Sequence, residues 1–196
     1  RIMGAPKVRA GTVIAGRYRL VAPLSRGGMG SVWRAEHLSL GSPIAIKLID
    51  ADLVEHDEAR ARFEQEARAA AALRSPHVVQ ILDHGVDRDL PFIAMELLDG
   101  ESLAARLHRL GALPPAHTAR IFSDLARAMK KAHDIGIIHR DLKPDNVFLV
   151  RNDDREIAKV LDFGIAKAQS PLGDWKGGGT RTGALIGTPQ YMSPEQ

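Results

Sequence analysis

Residues 138–146 read Ile-His-Arg-Asp-Leu-Lys-Pro-Asp-Asn, and this stretch decides how the whole chain is interpreted. Most of its side chains are charged or form hydrogen bonds, and the stretch lies between a predicted helix and a predicted strand. A second polar group, Asp162-Phe163-Gly164, follows after two short strand patterns. Loops held between regular elements are common positions for catalytic and binding groups. We therefore expect the functional site to include this loop.

Hydrophobic spacing predicts the elements around the loop. A helix follows Pro114-Pro115 and ends at Gly136, and a shorter helix runs from a Ser102 cap to a Gly111 stop. Two short strands are predicted downstream, Val147 to Val150 and Ile157 to Leu161. The longer helix should pack in a core through one apolar stripe, formed by Ile121, Phe122, Leu125, Ala128, Met129 and Ala132.

The first hundred residues have a different texture. Two alternating runs joined by a glycine-rich turn, and an apolar run at 44–49, predict three strands. A helix with Phe63, Ala67 and Ala70 on one side spans Asp57 to Leu73, and Pro76 closes it. Two more strands follow, Val78 to Leu82 and Phe92 to Leu98. The fold class is therefore α+β, with a five-stranded antiparallel sheet and one helix in the first half.

The change at Asp99-Gly100 predicts a boundary between two lobes. Residues 1–16 contain Gly, Pro and Lys without periodicity, so we expect a flexible lead-in. Residues 17–98 would form the first lobe and residues 99–196 a second, incomplete and mainly helical lobe.

Composition excludes several classes of protein. The chain has 196 residues, of which 44% are hydrophobic and 26% charged, as in ordinary globular domains. A net charge of +3 is too small for a dedicated nucleic-acid binder, so no nucleic-acid partner is expected. The absence of cysteine excludes disulfides and thiol catalysis and suits a reducing cytoplasm. No apolar run is long enough to span a bilayer or to act as a signal peptide.

The motif string at 138–146, together with Asp162-Phe163-Gly164, resembles that of the protein kinases of the serine/threonine type. The resemblance extends in order from about Arg17 to Gln196. The Gly-Gly-Met-Gly turn and the ending Gly187-Thr188-Pro189 to Glu195-Gln196 look most like the bacterial, eukaryotic-like (Hanks-type) branch. The resemblance implies a bilobal kinase fold and transfer of the γ-phosphoryl group of ATP to Ser or Thr hydroxyls of proteins.

The resemblance assigns the chemistry residue by residue. Asp141 would orient the attacking hydroxyl or accept its proton, and Lys143 would neutralise the transferring phosphoryl group. Asn146 and Asp162 offer hard oxygen ligands for Mg²⁺ or Mn²⁺. Lys47 would hold the α- and β-phosphates and pair with Glu66. Taken alone, Lys47 could be a solvated strand-end lysine, and Glu66 could form an exposed pair with Arg62.

The nucleotide pocket is assigned in the same way. The glycine-rich turn would cover the phosphates, although alone it also fits a simple hairpin turn. Its first family glycine is replaced by Ser25. Met95, Glu96 and Leu98 match the family's hinge beside the adenine, whose ring Val32, Ala45 and Phe148 would sandwich; these residues could equally be ordinary core. The turn residues expected at the phosphates are Ser25, Gly27, Gly28 and Gly30.

Residues 162–195 resemble an activation segment. Thr180 and Thr182 match positions that are autophosphorylated in bacterial relatives, and a phosphate there could pair with Arg140. An unmodified linker remains the alternative. Thr188 resembles the threonine that helps select Ser or Thr over Tyr. We expect protein substrates, signal transduction and possible self-association for trans-autophosphorylation.

The sequence can also be compared with two other classes of nucleotide-binding protein. Only Ser25 favours a pseudokinase-type nucleotide-binding scaffold, because such proteins usually lack the lysine or one of the aspartates. Lys47, Asp141 and Asp162 are all present here. A Rossmann or P-loop protein is excluded because the glycine turn is neither G-x-G-x-x-G nor followed by Gly-Lys-Ser/Thr. The family's C-terminal lobe continues beyond Gln196, so we expect a truncated fragment that is poorly folded or inactive alone. A cytoplasmic location is expected, with a membrane anchor elsewhere in a longer protein left open.

Overall fold

The computed structural model describes residues 8–27, 30–50, 57–152, 155–163 and 189–191. The chain divides into two compact units, one formed by Arg1–Ala71 with Gln80–Leu98 and the other by Ala72–Val79 with Asp99–Gln196. The segment Ala72–Val79 was expected in the first lobe. It groups with the second unit because Val79 N donates to Val160 O at 3.0 Å and Val160 N donates to His77 O at 2.9 Å.

The first unit contains an antiparallel sheet of six strands in the order β1-β2-β3-β4-β6-β5. The strands are β1 (Val13–Ile14), β2 (Tyr18–Gly27), β3 (Gly30–His37), β4 (Pro43–Ile49), β5 (Ile81–Asp87) and β6 (Leu90–Glu96). The predicted antiparallel sheet is confirmed, but the prediction of five strands was one short. The extra strand lies in the expected lead-in, where Ile14 is buried and pairs with Tyr18. Two residues are too few to produce a periodic signal.

One face of this sheet carries the core of the first unit. Ile44, Ile46 and Leu48 of β4 point to one face, where they join a core with Tyr18, Leu20, Trp33, Ala35, Phe92 and Ala94. Helix α1 (Asp57–Ala72) buries Phe63, Ala67 and Ala70, as their spacing predicted. The tight turn between β5 and β6 contains Arg88 and Asp89, both with positive φ, as a two-residue hairpin turn requires.

The second unit combines helices with a small sheet. Its elements are β7 (Gly100–Ser102), α2 (Leu103–Leu110), α3 (Pro115–His133), a 3₁₀ turn (Pro144–Asn146), β8 (Val147–Arg151), β9 (Glu156–Val160) and a 3₁₀ turn (Pro189–Tyr191). The predicted caps of α2 are confirmed: Ser102 accepts from Ala105 N, and Gly111 ends the helix. Gly100 is required where β7 meets β8, since a Cβ there would lie 2.0 Å from Leu149 O.

Helix α3 packs on the small sheet through part of its predicted stripe. Ile121, Leu125, Ala128 and Ala132 are buried with Val147, Leu149, Ala158 and Val160. Phe122 was wrongly assigned to this stripe, because it is 65% exposed. It follows Ile121 directly, and one residue rotates the side chain by about 100° around a helix.

A charged network joins α2, α3 and the small sheet. Arg106 donates two hydrogen bonds to the carboxylate of Glu156, at 2.7 and 3.3 Å, and also bonds Glu101. His117 Nε2 lies 2.7 Å from Glu156 Oε1. Such a bidentate pair fixes the direction of Arg106 as well as its charge.

Within the described ranges, no helix has both the length and the apolar character needed to cross a bilayer.

Candidate active site

The loop at 138–146 brings three of the predicted catalytic side chains together. Lys143 Nζ lies 3.4 Å from Asp141 Oδ2. Asn146 Nδ2 donates to the backbone oxygen of Asp141 at 2.8 Å and lies 3.3 Å from its carboxylate oxygen. The carboxylate of Asp141, the ammonium group of Lys143 and the amide of Asn146 thus lie close together in one loop. The 3₁₀ turn Pro144–Asn146 brings Asn146 back toward Asp141.

The His139 ring holds this loop in place. Its ring is buried, with Nε2 2.8 Å from Leu161 O and Nδ1 3.3 Å from Asp141 N. Asp141 N–H can only donate, so Nδ1 is the acceptor, and the proton lies on Nε2, which donates to Leu161 O. The ring also packs against Phe163 at 4.9 Å between centroids. His139 therefore holds the loop in place through its two ring nitrogens and its packing on Phe163.

Asp162 is tied to the same loop through the backbone. Leu161 N donates to Asn146 O at 2.8 Å, so the residue before Asp162 is bonded to both His139 and Asn146. Asp162 and Arg140 have φ values of 48° and 63°. These left-handed conformations are strained for residues other than glycine and often accompany functional positions. Asp162 and Asn146 are thus held on neighbouring segments of one unit.

The donor set of this loop suits a magnesium ion. Both partners of Asn146 Nδ2 are acceptors, so the amide nitrogen must face Asp141 and the carbonyl oxygen must point the other way. That oxygen and the Asp162 carboxylate are hard ligands. No group of three His, Cys, Asp or Glu side chains suited to a metal occurs within the described ranges. Two protein oxygens, completed by phosphate and water oxygens, are how proteins commonly hold Mg²⁺ with a nucleotide.

In the first unit, predicted nucleotide residues share one face of the sheet. Lys47 is in register with Val32 and Ile93, and Ala45 is in register with Met95. Directly opposed residues of antiparallel strands point to the same face. Val32, Ala45, Lys47 and Met95 therefore lie on the face opposite Ile44, Ile46 and Leu48. Ser25 pairs with Val32 at the far end of β2.

The glycines of the turn have different structural roles. Gly30 has a φ of 134°, and a Cβ there would lie 1.9 Å from Leu48 O. The close contact with β4 is therefore enough to require glycine at this position. Gly27 has no atom within 4 Å of the position of a Cβ. Packing therefore does not require glycine at position 27. Gly28 lies outside the described residues.

The predicted hinge begins at the end of β6. Glu96 N donates to Gln80 O at 3.0 Å, and the side chain of Glu96 accepts from Gln80 N at 2.8 Å. The backbone N–H of Glu96 is therefore already bonded within the protein. Met95 is buried, and Leu98 is half-buried at the end of the first unit. Phe148 is half-buried on β8 of the second unit.

Lys47 and Glu66 both belong to the first unit and are both half-buried. Their pairing stays a prediction. The predicted regulatory residues Thr180 and Thr182 and the selection residue Thr188 lie outside the described residues, whereas Arg140 is exposed beside Asp141.

Sequence reasoning missed the polar contacts that brace the small sheet. Asp124 of α3 accepts from Ala158 N at 3.1 Å, and its other oxygen lies 3.5 Å from Nδ1 of the buried His77. A polar residue inside the apolar period of α3 was the only signal available. Its buried backbone partner could not be read from spacing.

A family model described as the protein kinase domain matches residues 18–196. The chain belongs to the protein kinase family. It is 42% identical over 184 residues to serine/threonine-protein kinase pkn2 of Myxococcus xanthus, covering 94% of this chain and 22% of that relative. It is 40% identical over 181 residues to serine/threonine-protein kinase PknD of Mycobacterium tuberculosis, covering 92% of this chain and 26% of the relative.

The fold comparison agrees with this membership. The crystal structure of the PknI kinase domain of Mycobacterium tuberculosis superposes with a TM-score of 0.72 at 33% identity, over 81% of this chain and 64% of that one. This confirms the predicted kinase fold, while the chain spans about a quarter of the length of these curated relatives. Members of the family use ATP and Mg²⁺ and act on proteins.

Proposed function

We propose that this kinase-family chain forms the nucleotide-binding and catalytic part of a serine/threonine protein kinase. The observation that carries the proposal is the arrangement around Asp141, whose carboxylate lies within 3.4 Å of Lys143 Nζ and 3.3 Å of Asn146 Nδ2. Phosphoryl transfer needs little covalent help from a protein, but it needs a positioned hydroxyl and neutralised charge. This loop supplies groups for both.

The proposed reaction moves the γ-phosphoryl group from ATP to a Ser or Thr hydroxyl and leaves ADP. Asp141 orients the hydroxyl and takes its proton as the new P–O bond forms. Lys143 offsets negative charge on the phosphoryl oxygens. Asn146 and Asp162 would hold Mg²⁺, which would supply positive charge beside the phosphate oxygens.

The face of the sheet that carries Val32, Ala45, Lys47 and Met95 is the proposed nucleotide surface of the first unit. Lys47 is a half-buried cation on this face, and Glu66 is its proposed partner. Ser25, Gly27, Gly28 and Gly30 form the proposed phosphate cover, with Glu96 and Leu98 at the adenine edge and Phe148 against the ring.

Regulation is proposed to act through Thr180 and Thr182. A phosphate at either position carries nearly two negative charges and would pair with Arg140. Thr188 is proposed to favour Ser and Thr acceptors. Phosphorylation in trans requires two copies to meet, so transient self-association is part of the proposal. We place this chemistry in the cytoplasm, where ATP is available.

The test is transfer of the γ-phosphoryl group by the complete natural protein to a serine-containing protein substrate. Asp141→Asn and Lys47→Met should each lower transfer by about a hundredfold or more, because the hydroxyl or the phosphates lose their positioning group. Asp145→Asn and Lys131→Met are matched controls, since both residues are exposed. They should transfer at the natural rate.

Magnesium-dependent ATP binding without transfer by the unaltered protein would favour the nucleotide-binding scaffold instead. Thermal shift with ATP, with and without Mg²⁺, measures this binding apart from turnover.

A further inference from the structure

A cavity of about 460 Å³ lies in the second unit, between α3 and β9, among residues that have no part in the proposed phosphoryl transfer. This volume is in the range of binding pockets and is far larger than a single small anion. Its apolar wall includes Ile121, Leu149 and Ile157. Its titratable lining consists of His117, Arg120, Asp124, Arg127, Arg155 and Glu156.

The two acidic groups of this cavity already have cationic or donor partners. Glu156 accepts two hydrogen bonds from Arg106 and lies 2.7 Å from His117 Nε2. Asp124 accepts from Ala158 N and lies close to His77. Their negative charge is therefore directed into the protein and is largely balanced there.

The arginines of the cavity are available to a partner. Arg120 and Arg155 are exposed, and neither forms an ion pair with an acidic side chain within the described ranges. Arg127 is 66% exposed, and its closest carboxylate contact, to Asp124, is 4.0 Å long. Asp153 and Asp154 precede Arg155 but lie outside the described residues. The rim of this cavity carries a surplus of planar guanidinium groups beside an apolar wall.

The occupant that fits this chemistry is an acidic peptide segment with an apolar side chain. Guanidinium groups bind carboxylates through paired N–H donors, and Arg clusters are a recurrent means of recognising acidic motifs. The arginines surround one concave site, whereas a bilayer presents a plane and a nucleic acid usually needs an extended basic stripe. The lining also lacks Phe, Tyr and Trp, which stack on single-stranded bases.

We propose that this cavity docks an acidic segment of the protein substrates, away from their phosphorylated residue. The proposal rests on the proposed kinase function. Docking would raise the effective concentration of the acceptor hydroxyl near Asp141 and would lower KM without changing kcat.

The experiment compares two peptides with the same acceptor serine, one of which carries a flexible extension of four glutamates around one leucine. The complete natural protein should show a KM about tenfold lower for the extended peptide at low salt, with the difference shrinking as salt rises. The double variant Arg120→Glu with Arg155→Glu should lose this difference while keeping the kcat and KM of the plain peptide. A matched control, Arg9→Glu with Arg74→Glu, makes the same charge change at exposed positions elsewhere and should keep the difference.

Equal KM values for the two peptides, or a difference that survives the double variant, would overturn the docking site. Binding is also measured without turnover, by fluorescence anisotropy of the labelled acidic extension alone on the Asp141→Asn protein. Binding that Arg120→Glu with Arg155→Glu abolishes supports the site even if the unaltered protein transfers no phosphate, so the two proposals fail separately. Stronger competition by an oligonucleotide or by anionic vesicles than by the unlabelled extension would overturn the assignment to a peptide.

Discussion

Asn146 donates its side-chain N–H groups to two oxygens of Asp141, the backbone oxygen at 2.8 Å and a carboxylate oxygen at 3.3 Å. Because both partners accept, this contact fixes which way the amide faces, and it directs Asn146 Oδ1 away from Asp141. One side chain thus orients the proposed base and presents a metal ligand.

Asn146→Asp should preserve shape and a hard oxygen but remove this donor. A second carboxylate about 3 Å from Asp141 would raise the pKa of one of the pair, because like charges disfavour ionisation. We expect kcat to fall by about tenfold to a hundredfold. The acid limb of the kcat–pH profile should therefore move to higher pH. Asp145→Asn should change neither, and an unchanged profile in Asn146→Asp would contradict the assigned contact.

Two glycines of the turn should respond differently to alanine. Gly30→Ala places a Cβ against the backbone of Leu48 at a positive φ, so we expect a loss of about 3 kcal/mol in the free energy of unfolding. Gly27→Ala meets no atom and should change stability by less than about 0.5 kcal/mol. It should instead raise KM for ATP several-fold. Urea unfolding and ATP kinetics check both, and a stable Gly30→Ala protein would refute the packing argument.

Tyr18 of β2 contacts the edge strand β5, since its hydroxyl donates to Asp83 Oδ2 at 2.7 Å. Burial, followed by the hydrogen bond to Asp83, raises the pKa of Tyr18 from 10.0 to about 12. Tyr18→Phe should cost about 1 kcal/mol of stability at neutral pH. Tyr191→Phe, at an exposed position, should cost nothing measurable.

The contact between Tyr18 and Asp83 also predicts how the stability of the fold changes at alkaline pH. A raised pKa means that the folded state keeps its proton longer than the unfolded state. The contribution of Tyr18 is therefore complete below pH 10 and is lost as pH rises toward 12. Thermal unfolding across this range should show a steeper decline for the natural protein than for Tyr18→Phe.

Arg106 should contribute more to the free energy of unfolding than the exposed Arg109 does. Its side chain is only 15% exposed and bonds Glu156 through two nitrogens. Arg106→Met should cost about 2 kcal/mol, because hydrogen bonds to charged groups are strong and Glu156 would lose two of them. Arg109→Met, at a 58% exposed arginine with one bond to Glu101, should cost much less.

Acid unfolding tests the same network. The hydrogen bond from Arg106 is the main cause that lowers the pKa of Glu101. Burial pushes the pKa of Glu156 upward, but the hydrogen bonds from Arg106 and His117 outweigh it and lower that pKa. Stability from these carboxylates is present above about pH 4.5 and is lost as pH falls below it. Arg106→Met should flatten this acid decline, and an equally steep decline would contradict the network's role.

The chain's local signals were sufficient for most elements. Strand and helix periods, the Ser102 cap and the Gly111 stop are short-range properties, so they could be predicted without contacts. The kinase family was also recognisable from the string at 138–146, because few proteins place Asp, Lys and Asn at that spacing. The strand at Val13–Ile14 was missed because it is too short to have a period.

Only the tertiary structure decided which atoms face each other. The orientation of the Asn146 amide, the proton position on His139 and the fit of Gly30 against Leu48 depend on partners from other segments. The same is true of Arg106 with Glu156 and of the arginine-rimmed cavity. Hydrogen bonds and steric contacts act over a few ångströms between residues that are distant in sequence, and spacing along the chain carries no record of them.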